Sequence, residues 1–399
     1  MRRHLAVAAA GFLLPLVACT SSPTTVPPPT SAAATATPTP QTTTANWRAI
    51  PKAPIAGRIG EGVAWSGKVM FVWGGVIRTG GGSATAASDG ASYNPASNKW
   101  KKLPPAPSGV LGVVGPAAAW TGDSTVFWAG NSPDGPAAGA VYHPATGTWT
   151  KLPNGPLGPR ESYASVWDGS EMLIVGGSSG DQFASPTAAA VAPDAGSWRL
   201  LPALETLRGL LPNGAVMGGG EMYLAGRLSR CPQRGSSCGK YRAIFLAYAP
   251  QTDQVHALDL KRAPVSATRR SLLTPVAWTG SEVVFAIAQA PAAGLVFYNP
   301  DSQAWRTGKA APGKPANAAY SQTAWIGGRW VVPAGSGLLQ IYDPASNAWS
   351  LDAAGPSPLN SRSGSAIAWT GSTLIAWSGI LNRPGNPAPN TGSRIHLST

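Results

Sequence analysis

Three arginines, Arg58, Arg160 and Arg362, each stand seven residues before a tryptophan that is followed two positions later by glycine. A guanidinium is a planar fork that pairs bidentately with carboxylate or phosphate, so a set repeated onto one face could read an anion. The same fork can instead tie chain segments together through backbone carbonyls, and the sequence leaves both readings open. A second basic group, Arg227, Arg230, Arg234, Lys240 and Arg242, occupies one loop and its flanks with no acidic residue among them. Glu61 and Glu161 come closely after the first two arginines. Two carboxyl groups about 5 to 10 Å apart in an open pocket would suit glycoside chemistry, whereas acids beside arginines also form plain ion pairs. His143, His256 and His396 are the only histidines beyond the first few residues. They are scattered through the chain, with no Ser-His-Asp or His-metal constellation around them, so no metal site and no cofactor is expected.

These residues are carried by a repeat. Trp-x-Gly occurs as Trp65/Gly67, Trp120/Gly122, Trp167/Gly169, Trp278/Gly280, Trp325/Gly327 and Trp369/Gly371, with Val216/Gly218 as a degenerate copy. An aromatic residue, a proline and a later tryptophan form the second half, clearest at Tyr93/Pro95/Trp100, Tyr142/Pro144/Trp149, Tyr298/Pro300/Trp305 and Tyr342/Pro344/Trp349. Weaker copies are Val191/Pro193/Trp198 and Tyr248/Pro250/Val255. A recurrence of this length marks supersecondary units that bury their apolar faces only by stacking on neighbours. Within each unit the segments are short, alternating in polarity, and cut by Gly and Pro, which predicts four strands per unit. In the third unit these are Ser162 to Trp167, Glu171 to Gly177, Ala188 to Ala192 and Trp198 to Leu201. Pro51, Pro104, Pro153 and Pro202 each lie four residues past a tryptophan. Proline lacks a ladder donor, so the fourth strand is predicted to end there and to be a sheet edge.

This pattern resembles the kelch-repeat β-propellers of the galactose-oxidase-like superfamily, over about residues 47 to 399. Gly74-Gly75 and Gly176-Gly177 at the end of the second strand carry the resemblance, together with the aromatic-to-Trp pairs. The double glycine is degraded to Ala129-Gly130, Ala225-Gly226, Ile287-Ala288, Ala334-Gly335 and Ser378-Gly379 in the other units. The resemblance implies an all-β, seven-bladed propeller of four-stranded antiparallel blades. Gly392 to Thr399 matches Gly139 to Thr146 as a third strand, and Trp47 to Pro51 matches Trp149 to Pro153 as a fourth. The N-terminal strand is therefore expected to complete the last blade and close the ring, removing the open sheet edges. Copper oxidases share such propellers, but their His, Tyr and modified Cys ligands have no counterpart here.

Met1 to His4 is basic, and Leu5 to Val17 is an apolar run too short to cross a bilayer. Leu16-Val17-Ala18-Cys19 resembles a bacterial lipobox, which implies lipidation of Cys19 and a signal peptide over 1–18. Residues 19–46 are the expected lipidated cysteine and a disordered tether rich in Thr, Pro, Ala and Ser. It holds too few apolar groups to offset the entropy of ordering. Cys231 and Cys238 remain as a pair for a disulfide in an oxidising compartment. The net charge of +13 favours anionic neighbours, and export disfavours nucleic acid.

Together these features predict a lipid-anchored, extracytoplasmic protein that binds an envelope polymer, glycan or protein without catalysis. Its candidate ligand-binding residues are Arg58, Arg160, Arg362, Arg227, Arg230, Arg234, Lys240 and Arg242. The alternative is an enzyme on an envelope carbohydrate, working through Glu61 or Glu161.

Overall fold

The computed structural model describes residues 47–79, 84–110, 115–129, 137–179, 182–183, 186–229, 241–266, 273–287, 294–312, 324–333, 339–352, 362–381, 385 and 387–397. All of them belong to one compact unit, Pro40–Thr399. The expected signal peptide and tether, Cys19, and the Cys231–Cys238 pair lie outside the described residues. So do Arg230, Arg234 and Lys240.

The described residues form seven four-stranded antiparallel sheets and one short 3-10 helix, Pro202–Leu207. Sheet one contains Gly62–Trp65, Met70–Trp73, Gly90–Asn94 and Lys99–Lys102; sheet two contains Ala117–Trp120, Thr125–Ala129, Ala138–His143 and Thr148–Lys151. Sheet three contains Ala164–Trp167, Met172–Val175, Ala188–Ala192 and Ser197–Leu200; sheet four contains Leu210–Gly218, Glu221–Ser229, Tyr241–Ala249 and Gln254–Ala257. Sheet five contains Leu273–Trp278, Val283–Ile287, Gly294–Asn299 and Ala304–Thr307; sheet six contains Ala324–Ile326, Arg329–Pro333, Leu339–Asp343 and Ala348–Asp352. Sheet seven joins the chain ends, with Ala366–Trp369, Thr373–Trp377 and Gly392–His396 adjoined in space by Arg48–Ile50. Arg48 pairs with Arg394 and Ile50 with Gly392, so the N-terminal strand sits where the sequence repeat placed it.

Sheets one to six lay their strands down in chain order with the fourth at an edge, and in sheet seven the N-terminal strand takes that edge. Those edge strands stop at Ile50, Lys102, Lys151 and Leu200, ahead of the four prolines. The second strands are buried along their whole length in sheets one, two, three and five, while the fourth strands are mostly exposed. Burial on both faces requires sheets stacked face to face, and the core is divided accordingly. Seven apolar clusters each join two consecutive sheets. One of them packs Ala366, Ala368, Ile375 and Trp377 of sheet seven against Met70, Val72, Ala91 and Tyr93 of sheet one, with Ile50 and Ile55 between. Trp73, Trp128, Trp330 and Trp377 on the second strands are at most 1% exposed, and they anchor these layers.

The hairpin glycines act through backbone conformation. Gly67, Gly122, Gly169, Gly280 and Gly371 have φ between 82° and 117°, a region that costs glycine little. The degenerate fourth copy departs from this register. Gly218 is still paired with Glu221, and the turn is made by Gly219 and Gly220, with φ of 60° and 85°. Trp278 of the next sheet lies so close to Gly218 that an added Cβ would fall 2.3 Å from the indole. Packing against the neighbouring sheet fixes that glycine, and turn geometry does not.

Candidate functional site

Arg58, Arg160 and Arg362 perform one repeated task. In each case Nη1 donates to the carbonyl sixteen residues on, at the end of the second strand: Gly74 (3.1 Å), Gly176 (3.3 Å) and Ser378 (3.1 Å). The same nitrogen reaches the carbonyl just before the third strand: Asp89 (3.1 Å), Thr187 (3.3 Å) and Thr391 (2.7 Å). Each arginine thus clamps the two ends of the loop between strands two and three. Arg58 and Arg160 are 0% and 1% exposed, and Arg362 is half-buried. Arg58 also pairs with the Asp89 carboxylate at 2.8 Å. Burial lowers the Arg160 pKa to about 10, partly opposed by Glu205, so Arg160 stays charged at neutral pH.

The clamp accounts for the glycine pairs. Gly74-Gly75, Gly176-Gly177 and Ser378-Gly379 all adopt positive φ, and they occur in the three repeats that carry the arginine. The second glycine in each pair runs against the segment after the arginine. A Cβ on Gly75 would lie 2.7 Å from the Ile59 carbonyl oxygen, and one on Gly177 would lie 2.6 Å from that of Glu161. The close approach lets Arg58–Ile59 pair with Val76–Arg78, Arg362–Ser363 with Ile380–Leu381, and Glu161 bridge to Ser178.

The two candidate carboxylates have different settings. Glu61 does not ion-pair with Arg58. Both of its carboxylate oxygens are buried without a hydrogen-bond partner, and Arg58 Nη2 is likewise unpartnered. Burial pushes the Glu61 carboxyl up to about 8, against the smaller opposing effects of its own amide, Arg58 and the Ala366 amide. Glu161 is exposed, and its backbone bonds to Ser178 in both directions, at 2.8 and 2.9 Å.

The basic loop of repeat four springs from an unusual sheet. Its first three strands are nine residues long, against three to six in the other sheets. Residue 226 continues the ladder where the clamped repeats turn back. Arg227 and Arg242 are exposed on this extension, and the Arg227 guanidinium lies 5.5 Å over the ring of Tyr241, itself 42% exposed. An exposed cation on an exposed aromatic ring makes a small preformed basic surface. The long stretch between Val216 and Trp278 marked extra residues in this repeat, but sequence alone assigned them to a loop and not to longer strands.

The histidines are dispersed. His143 shares hydrogen bonds with Ser124 Oγ and Thr150 Oγ1, both 2.9 Å, His256 stands on an edge strand, and His396 is exposed in sheet seven. Among the described residues no group of three His, Cys, Asp or Glu is placed to hold a metal ion.

No protein-family model matches the chain, and no curated protein sequence does. A solved structure does match: a fungal alcohol oxidase of the AA5 family in complex with copper. The two share 12% identity with a TM-score of 0.59, over 89% of this chain and 76% of that one. At this identity the likeness concerns fold alone, and it defines an all-β protein of β-propeller type. The dispersed histidines of the described residues do not form a copper ligand set.

Proposed function

We propose that the chain is a closed, seven-bladed, kelch-like propeller that binds an anionic component of the cell envelope without transforming it. Seven sheets joined by seven inter-sheet cores, and the pairing of the chain ends, support the ring. The observation that carries the binding role is the extended hairpin of sheet four, with Arg227, Tyr241 and Arg242 exposed together. Arg230, Arg234 and Lys240 fall between its strands in sequence. Arg58, Arg160 and Arg362 are excluded from it, because the first two are buried, the third is half-buried, and Nη1 of each already serves backbone carbonyls. Placement outside the cytoplasm rests on residues 1–46: a signal peptide, lipidation of Cys19, and a tether that sets the domain among acidic polymers.

Binding of a polyphosphate chain to the full-length protein tests this reading. Replacing Arg227 and Arg242 by Ala should weaken binding at low salt. The wild-type interaction should fade as ionic strength shortens the screening length to about 8 Å. Replacing Lys101 and Lys102, exposed on the edge of sheet one, should matter less. Equal losses from both pairs would reduce the effect to net charge. The anchor is tested by Cys19→Ala, which should release the protein from the membrane fraction.

A second reading, an enzyme on an envelope carbohydrate, draws on Glu61, whose raised pKa would suit a general acid. The burial of both its carboxylate oxygens weighs against contact with a substrate.

A further inference from the structure

Two side-chain bonds recur where consecutive sheets meet, and both are missing in sheet five. In the first, the indole of the fourth-strand tryptophan donates from Nε1 to a carbonyl of the preceding repeat. Trp100 reaches Pro51 O, Trp149 reaches Pro104 O and Trp198 reaches Pro153 O, each at 3.0 Å, while Trp349 reaches Lys309 O at 2.7 Å. In the second, the third-strand tyrosine donates its hydroxyl to an Asn or Asp five residues on. Tyr93 reaches Asn98 (2.7 Å), Tyr248 reaches Asp253 (2.8 Å) and Tyr342 reaches Asn347 (2.6 Å).

Sheet five has Trp305 and Tyr298 at these positions, and neither makes its bond. The acceptor for Trp305 would be the carbonyl of Asp259, where Pro51, Pro104 and Pro153 serve the first three sheets. Asp259 instead accepts the Lys261 amide on Oδ1 at 2.8 Å and lies 3.7 Å from Arg262, folding that segment on itself. The position facing Tyr298 is Gln303, which keeps the positive φ of its counterparts at 53° but does not accept from Tyr298. A cavity of about 380 Å³ occupies the space, with Tyr298, Gln303 and Trp305 on one side and Glu221, Tyr223 and His256 on the other.

The cavity wall is preorganised. The Trp305 indole is braced by Tyr298 at 4.7 Å and Phe285 at 5.6 Å between ring centroids. Glu221 Oε2 accepts the Tyr223 hydroxyl at 2.9 Å, which holds the carboxylate in place. Its Oε1 is 3.9 Å from His256 Nε2, too far for a hydrogen bond, and remains an available acceptor. A braced aromatic ring, two unused donors, a fixed carboxylate and a free amide suit a molecule with many hydroxyls and one apolar face. The opposite charges of Asp259 and Arg262 offset each other at the border, which leaves the Glu221 carboxylate as the acceptor that a sugar hydroxyl would meet. The volume lies at the lower end of the range for small-molecule pockets.

We propose that the cleft between sheets four and five binds a neutral saccharide, stacked on Trp305 and hydrogen-bonded to Glu221, Tyr298 and Gln303. The site is separate from the basic hairpin and independent of it.

Titrating the full-length protein with glucose, galactose, mannose and arabinose, and tracking bound sugar by saturation-transfer NMR, tests the proposal. At least one of these should bind. Glu221→Gln should weaken it about tenfold, the scale of a hydrogen bond to a charged group. Trp305→Ala should abolish it. Trp305→Phe keeps an aromatic wall should the larger truncation fail to fold, and it should weaken binding by removing the indole donor. Arg227→Ala should leave sugar binding unchanged. The proposal is overturned by no binding of any of the four sugars, by binding that survives both Glu221→Gln and Trp305→Phe, or by choline displacing the sugar, which would mark a cation site.

Discussion

Repeats one, three and seven differ from repeat four in the path the chain takes after the second strand. In the first group an arginine seven residues before the Trp-x-Gly tryptophan gathers the carbonyls at both ends of the next loop. A pair of residues with positive φ then turns the chain back under it. Repeat four has Gly209 at that place, and its second strand runs on to Ser229, carrying Arg227 into solvent. An arginine with its donors on buried carbonyls is a structural element. An arginine on a projecting strand is free to meet a partner. Residue type alone does not separate the two, and the sequence had grouped them.

Removing a clamp is expected to have the largest effect. Arg160→Ala would leave the buried carbonyls of Gly176 and Thr187, and the part-buried one of Pro186, without this donor. It should cost about 3 to 5 kcal/mol in urea unfolding, while Arg227→Ala stays within about 0.5 kcal/mol. Equal effects would erase the distinction between the two regions.

Glu61 probes the clamp of repeat one from its acidic side. Its carboxyl rises from 4.5 in the unfolded chain to about 8 in the folded one. The native state therefore holds the proton more tightly than the unfolded state, and stability should fall as pH rises through that window. The decline should be on the order of a few kcal/mol. Glu61→Gln should flatten it, and an unchanged pH profile in that variant would mean the carboxyl is solvated.

The double-glycine turn can be separated from ordinary hairpin glycines. Gly177→Ala meets both a positive φ of 98° and a carbonyl 2.6 Å from the new Cβ, whereas Gly169→Ala meets a φ of 108° in open space. Thermal unfolding should show a loss of about 2 to 3 kcal/mol for the first and about 1 kcal/mol for the second.

The smallest expected difference concerns the indole bonds. Trp149→Phe gives up a donor to Pro104 and should cost about 1 kcal/mol more than Trp305→Phe, which has no such bond to lose. Equal costs would indicate that the junction between sheets four and five is latched like the others.

Much of this architecture was legible from spacing. The Trp-x-Gly turns, the aromatic-to-Trp pairs and the terminal prolines located the strands, and the match of residues 392–399 with 139–146 anticipated the pairing of the chain ends. Strand periodicity and proline chemistry act locally, so they are written in local sequence. Partner choice was less legible. Glu61 is close to Arg58 in the chain, yet Arg58 pairs with Asp89, because the loop between strands two and three returns there.

The sequence by itself determined an all-β repeat protein, the strand order within each unit and the positions of the turns, since each arises from patterns within a few residues. Only the tertiary structure decided which arginines are buried and which face solvent, that the Glu61 carboxylate oxygens are buried, and that sheet five leaves Trp305 and Tyr298 without their usual acceptors. Those outcomes depend on groups brought together across sheet junctions, such as Trp149 with the carbonyl of Pro104. Burial and hydrogen-bond satisfaction there are set by how neighbouring repeats pack against one another.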